Sequence, residues 1–130
     1  MSIVTEVAPA DSAAALAHFQ GSLAFETDCW DVHHSLSNAE HDFVLLDVRG
    51  TEKFDSGHIP GAVDMGHRKI IGSQLEEYPR ETVFVTYCAG PHCNGAARAA
   101  IRLAKLGRPV KIMPGGVTGW LDEGFALKTS

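Results

Sequence analysis

Val83-Phe84-Val85-Thr86-Tyr87-Cys88-Ala89-Gly90-Pro91-His92-Cys93-Asn94-Gly95, followed by Ala96-Ala97-Arg98-Ala99-Ala100-Ile101-Arg102-Leu103, is the stretch that decides how this chain is read. A β-branched and aromatic run predicts a strand, a turn-forming segment opening on a cysteine predicts a loop, and the Ala-rich run predicts a helix. In such a strand-loop-helix unit the N–H groups of the loop and of the first helical turn have no internal partner, so they converge on an anion. A sulfur at the strand's end would sit in that field, which favours thiolate over thiol and lowers its pKa from about 8.5. Cys88 is therefore the candidate nucleophile, in preference to a buried strand-end cysteine that merely packs.

Moving outward, Phe43-Val44-Leu45-Leu46-Asp47-Val48 predicts a parallel strand covered on both faces. Asp47 and Arg49 fall at its carboxyl end, where open α/β sheets bind ligands. Leu23 to Glu26, Ala62 to Met65 and Val110 to Met113 predict further strands, giving five in all. Between them, Ala13 to Phe19 predicts a helix capped by Asp11 or Ser12, with Leu16 and Phe19 on one face and Gly21 as its stop. Cys29 to Leu36 predicts a helix capped by Thr27 or Asp28, with Cys29, Val32 and Leu36 inward and His33 outward. His67 to Tyr78 carries a weaker helical pattern interrupted by Gly72, and Val117 to Glu123 a last short helix around a core Trp120. The alternation predicts an α/β fold, a five-stranded parallel sheet flanked by helices on both faces.

The chain has 130 residues, a size that suits a single domain over 1–130, with residues 1–21 as an N-terminal arm and short helix and 22–127 as the core. A net charge of -5 and the absence of a long basic run argue against nucleic acid or an anionic membrane as partner. No run reaches the ~18 apolar residues of a membrane span, and the start lacks a leader pattern, so a cytoplasmic location is expected. Three cysteines fit a reducing compartment.

Leu45-Leu46-Asp47-Val48-Arg49, then Phe54 with Gly57-His58-Ile59-Pro60-Gly61-Ala62, then Tyr87-Cys88, then Gly115-Gly116 with Trp120, resemble in that order the rhodanese-like domain, over roughly residues 22 to 127. Residues 25 to 28, residues 66 to 70 and the extended Cys88 loop look like a stand-alone bacterial subgroup. The resemblance implies the sheet order 1-5-4-2-3 and the chemistry of sulfur transfer. Cys88 would take a sulfane sulfur from a small-molecule donor such as thiosulfate, a polysulfide or a persulfide, and pass it to a thiol, to cyanide or to an acceptor protein. Ala89, Gly90, Pro91, His92, Cys93, Asn94 and Gly95 would cradle the transferred sulfur. Asp47 and Arg49 would brace the loop, and His58 would hold the turn from Gly57 to Gly61. No metal or organic cofactor is implied.

The chain departs from the family pattern in its loop. Cys88 to Asn94 makes seven residues with no arginine or lysine, where a common rhodanese loop has six and a basic side chain. Seven-residue loops resemble those of phosphatases and arsenate reductases on the same fold, but their phosphoryl-pairing arginine is replaced by Asn94. Sulfur transfer ranks above that alternative, and the missing cation favours a persulfide or polysulfide donor over thiosulfate. A third reading is a non-catalytic module that senses reactive sulfur or binds a protein. Cys93 reads either as a resolving thiol for Cys88 or as a packing residue, since a bond between them requires their Cα atoms within about 7 Å. His92 is either the loop's polar recognition group or an exposed tip.

Overall fold

An interior parallel strand must be apolar on both sides, and Phe43–Asp47 meets that demand as β1. The computed structural model describes residues 1–38 and 41–129. In it β1 lies between β2 (Val63–Asp64) and β3 (Val83–Tyr87), and β4 (Val110–Ile112) completes a parallel sheet of order β2-β1-β3-β4. The register sets Asp47 level with both Asp64 and Tyr87, so three strands end together at one edge of the sheet.

Among the described residues four strands form rather than the predicted five. Leu23, Ala24 and Phe25 instead continue the end of α2 (Ser12–Ser22) as turns, donating to the carbonyls of Gln20, Gly21 and Ser22. Leu23 and Phe25 stay 67% and 69% exposed, so no buried face draws them into the sheet. What remains of the fifth strand is one parallel bridge from Glu26 to Ile112. With that bridge counted, the spatial order is the 1-5-4-2-3 that the resemblance implies.

The helices follow their caps. The one-turn helix α1 (Ile3–Glu6) precedes α2 within the N-terminal arm, and Asp11 caps α2 by accepting from the Ala14 N–H at 2.8 Å. α2 runs through Gly21, its predicted stop, because the next residues have no competing structure to enter. Its predicted apolar face is not covered: Leu16 and Phe19 are exposed. Asp28 caps α3 (Cys29–Leu36) at the Asp31 N–H, and Cys29 and Val32 are buried. His33 turns inward rather than outward, stacking on Phe125 at 3.7 Å. After β1 come α4 (Thr51–Ser56), a 3-10 turn at His67–Lys69, and α5 (Gly72–Leu75), so Gly72 opens a helix where an interruption was predicted. α6 (Gly95–Lys105) follows the Cys88 loop and α7 (Gly116–Asp122) ends the core. Among the described residues no helix is long and apolar enough to cross a membrane.

Strand alternation divides the core into two layers. Leu46, Phe84, Ala96, Ala99 and Leu103 pack on one face of the sheet, together with Cys88. Leu45, Val85, Tyr87, Cys29, Met113 and Trp120 pack on the other. Trp120 is buried as predicted, its indole N–H donating to the Ala126 carbonyl at 3.0 Å.

Candidate active site

The site is framed by a carboxylate with no exposure to solvent. Asp47 Oδ1 accepts from the Arg49 backbone N–H and Nε, each at 3.0 Å. Its Oδ2 accepts from Arg49 Nη2 and from the Tyr87 hydroxyl, each at 2.7 Å. The same hydroxyl accepts from the Ile59 N–H at 3.1 Å, and Arg49 Nη2 donates to the Gly57 carbonyl at 2.6 Å. The network therefore ties the ends of β1 and β3 to the Gly57–Gly61 turn. Burial, and next the Asp47 charge, push the Tyr87 phenol far above its ordinary range, so it stays a donor. The hydrogen bond to Asp47 holds the Arg49 guanidinium above its own.

His58 secures the far side of that turn. Its ring stacks on Phe54 at 3.8 Å, its Nδ1 donates to the Phe54 carbonyl at 2.8 Å, and its backbone pairs in both directions with Lys128. These contacts lie within the turn and the C-terminal segment rather than at the sulfur.

The Cys88 loop is shaped from outside by the first turn of α7. Val117 N–H donates to the Cys88 carbonyl at 3.1 Å, and Thr118 gives both its N–H and its hydroxyl to the Ala89 carbonyl, at 2.9 and 2.7 Å. Gly116, at φ +57°, makes that approach possible, since a Cβ there would stand 2.5 Å from the Cys88 carbonyl oxygen. Gly90 faces Thr118 so closely that a Cβ would collide with its hydroxyl. Inside the loop Cys93 N–H closes a turn onto the Gly90 carbonyl at 3.0 Å, and Thr86 pins α6 through the Ala96 carbonyl at 2.9 Å. Gly95 opens α6 beneath the sulfurs, where a Cβ would lie 2.8 Å from Cys88 Sγ.

Two sulfurs meet in this loop. Cys88 Sγ lies 2.7 Å from Cys93 Sγ, and the Gly95 N–H, the first of α6, donates to Cys93 Sγ at 3.4 Å. The sequence reading placed Cys88 in the field of the helix and predicted a lowered pKa. The structure corrects that assignment. Cys88, packed in the core at 8% exposure, is pushed up, first by burial and then by its hydrogen bond to Cys93. Cys93 is drawn down, first by that bond and then by the Gly95 N–H, with Lys53 adding a smaller pull. The two sulfurs are hydrogen-bonded and titrate as a pair, burial favouring the proton on Cys88 and the Gly95 N–H easing its loss from Cys93. Cys29, the first residue of α3, is pushed to about 11 chiefly by burial, and its thiol donates to the Gly116 carbonyl at 3.6 Å.

A pH experiment reads the coupling directly. In Cys93→Ala the hydrogen bond and charge that raise Cys88 are lost while its burial stays, so the midpoint of Cys88 alkylation by iodoacetamide is expected to move to lower pH. A midpoint that stays put or rises would contradict the coupling.

Above the sulfurs opens a bowl of about 640 Å³, lined by Val48, Arg49, Lys53, Cys88, Ala89, His92, Cys93 and Asn94. Lys53, exposed on α4, is the residue the sequence reading missed. The loop itself carries no arginine or lysine, and this cation arrives from the helix that follows the carboxyl end of β1. That position, one helix removed from Asp47 and Arg49, was the available signal. His92 lies exposed on the rim, and the Asn94 side chain makes no capping bond to α6. Of the residues expected to cradle the sulfur, Gly90, Pro91 and Gly95 do not line the bowl, the Gly95 N–H being directed at Cys93 Sγ.

The profile of the family described as Rhodanese-like domain matches residues 31–123. The chain is 34% identical over 87 residues to the HTH-type transcriptional regulator Rv0324 of Mycobacterium tuberculosis, covering 66% of this chain and 38% of that protein. It is 31% identical over 100 residues to the adenylyltransferase and sulfurtransferase UBA4 of Meyerozyma guilliermondii, covering 70% of this chain and 22% of that one. The chain therefore spans well under half the length of either relative. Among solved structures, the BH2092 protein of Bacillus halodurans superposes with a TM-score of 0.86 at 33% identity, covering 90% of this chain and 85% of that one.

Proposed function

Since the chain belongs to the rhodanese-like domain family, we propose that it is a sulfurtransferase that carries a sulfane sulfur as a persulfide on Cys88. The observation that carries this reading is the position of Cys88 Sγ at the floor of the bowl, with a second sulfur 2.7 Å away to take its proton. The relative named an adenylyltransferase and sulfurtransferase lends it support.

In the first step Cys88 passes its proton to Cys93 as its sulfur attacks the outer sulfur of a donor. With thiosulfate the sulfur–sulfur bond of the donor breaks, sulfite leaves with the bonding electrons, and a Cys88 persulfide remains. Lys53 offers charge to an anionic donor at the rim. Arg49 is committed to Asp47 and to the Gly57 carbonyl, so it braces rather than binds. In the second step an acceptor thiol, or cyanide, attacks the outer sulfur of the persulfide and restores the Cys88 thiol. A phosphate dianion would need a guanidinium where Asn94 stands, which ranks phosphatase or arsenate reductase chemistry below sulfur transfer.

The test is sulfite formation from thiosulfate in the presence of reduced glutathione. Sustained turnover is expected. A single sulfite per chain followed by silence would favour a sulfur-sensing module, and no sulfite at all would reject the proposal.

A further inference from the structure

Resting on the persulfide reading above, we propose that Cys93 resolves the Cys88 persulfide, releasing hydrosulfide and closing a Cys88–Cys93 disulfide. The protein would then be a sulfide-generating enzyme for sulfane-sulfur carriers, with an external low-molecular-weight thiol as its reductant.

The geometry supplies an attacker, a target and an exit. The attacker is the Cys93 sulfur, which receives the first N–H of α6 and lies near Lys53. Both features favour its thiolate, the form that attacks disulfide-like bonds. The target is the sulfur already in contact with it, Cys88 Sγ at 2.7 Å. The added sulfur of the persulfide extends from Cys88 into the bowl, so the inner sulfur is the one that faces Cys93. The exit is the bowl itself, open beside Lys53. Cys93 is half-buried at the border of the core cluster that holds Cys88, so its sulfur both packs there and meets the Cys88 sulfur at the edge of the bowl.

The step balances without a further reactant. Cys93, carrying the proton it took from Cys88 in the first step, gives that proton to the outer sulfur as its own sulfur attacks Cys88 Sγ; a bond forms between the two cysteine sulfurs, and the bond from Cys88 Sγ to the outer sulfur breaks. The electron pair of the broken bond leaves on the outer sulfur as hydrosulfide. Two cysteine thiols are thereby oxidised to a disulfide while the sulfane sulfur is reduced to sulfide. Two equivalents of external thiol then reopen the disulfide, becoming a disulfide themselves. Gly95 keeps the approach clear, since a Cβ there would stand 3.4 Å from Cys93 Sγ and closer still to Cys88 Sγ.

Thiosulfate is the right probe because its leaving group is sulfite, so any sulfide comes from the persulfide. The reduced 130-residue chain is incubated with millimolar thiosulfate under anaerobic conditions without thiol, and sulfite, sulfide and intact mass are followed. For the native sequence, about one sulfite and one sulfide per chain are expected, with a product about 2 Da lighter than the reduced protein, the mass of a new disulfide. Cys93→Ser, which lacks the thiol that takes the Cys88 proton, is expected to form its sulfite more slowly, keep a gain of about 32 Da, the mass of a persulfide sulfur, and release at least ~10-fold less sulfide until thiol is added. If the native protein keeps the added sulfur as stably as the variant, the resolving step is wrong and the transfer reading survives. If neither protein forms sulfite or gains mass, both fall.

Discussion

Serine in place of Cys88 is expected to reduce glutathione-dependent sulfite formation to the uncatalysed level, a loss of about three orders of magnitude or more, as removal of a covalent nucleophile costs elsewhere. The substitution tests the assignment between two adjacent sulfurs. Cys93 is the more acidic, and on acidity alone it would be the nucleophile. Position argues otherwise. Cys88 follows directly on β3, where Tyr87 and the Asp47–Arg49 pair anchor its backbone, and its carbonyl is held by α7. Cys93 sits on the loop itself. A serine hydroxyl fits the space of the thiol and retains Cys93 as a partner, so the fold should persist, which circular dichroism checks. Activity retained in Cys88→Ser would move the persulfide to Cys93 and invert the order of steps.

Removing the Asp47 carboxylate should give the largest stability change. Asp47→Ala leaves a guanidinium whose side chain is only 9% exposed without its partner, and it leaves the Tyr87 hydroxyl without its acceptor. Breaking a buried ion pair from one side costs about 3 to 5 kcal/mol, because the remaining charge is uncompensated. That is a large part of the 5 to 15 kcal/mol that typically holds a domain together, in order-of-magnitude terms roughly a third. The measurement is urea unfolding followed by Trp fluorescence, for which Trp120 in the core is a reporter. A loss under about 1 kcal/mol would place the pair among surface-like ion pairs and remove the frame from the account.

What the sequence made legible follows the range of the forces involved. The bounds of α3 and its Asp28 cap were readable because capping is local, a side chain reaching three residues along its own chain. The order of the strands was readable because the resemblance carries topology. The missing strand was not, since Leu23 to Phe25 have strand-forming side chains and are kept out by the absence of any buried surface for them to join. Asp47 and Arg49 were visible at a strand's end, but the part played by Tyr87 required the register that sets it level with Asp47. The pKa of Cys88, expected to fall, is instead raised. The direction depends on how deeply that sulfur is buried and on which sulfur receives the α6 N–H, a tertiary difference between residues on one short loop. Lys53 was missed for the same reason, since it approaches from another element.

The central claim is that Cys88 Sγ is the atom that receives the sulfur. A crystal structure of Cys93→Ser soaked with thiosulfate tests it most directly. The account predicts one extra sulfur atom bonded to Cys88 Sγ and projecting into the bowl between Lys53 and His92. An unmodified Cys88, with the added sulfur on Cys29 or nowhere in the protein, would contradict it.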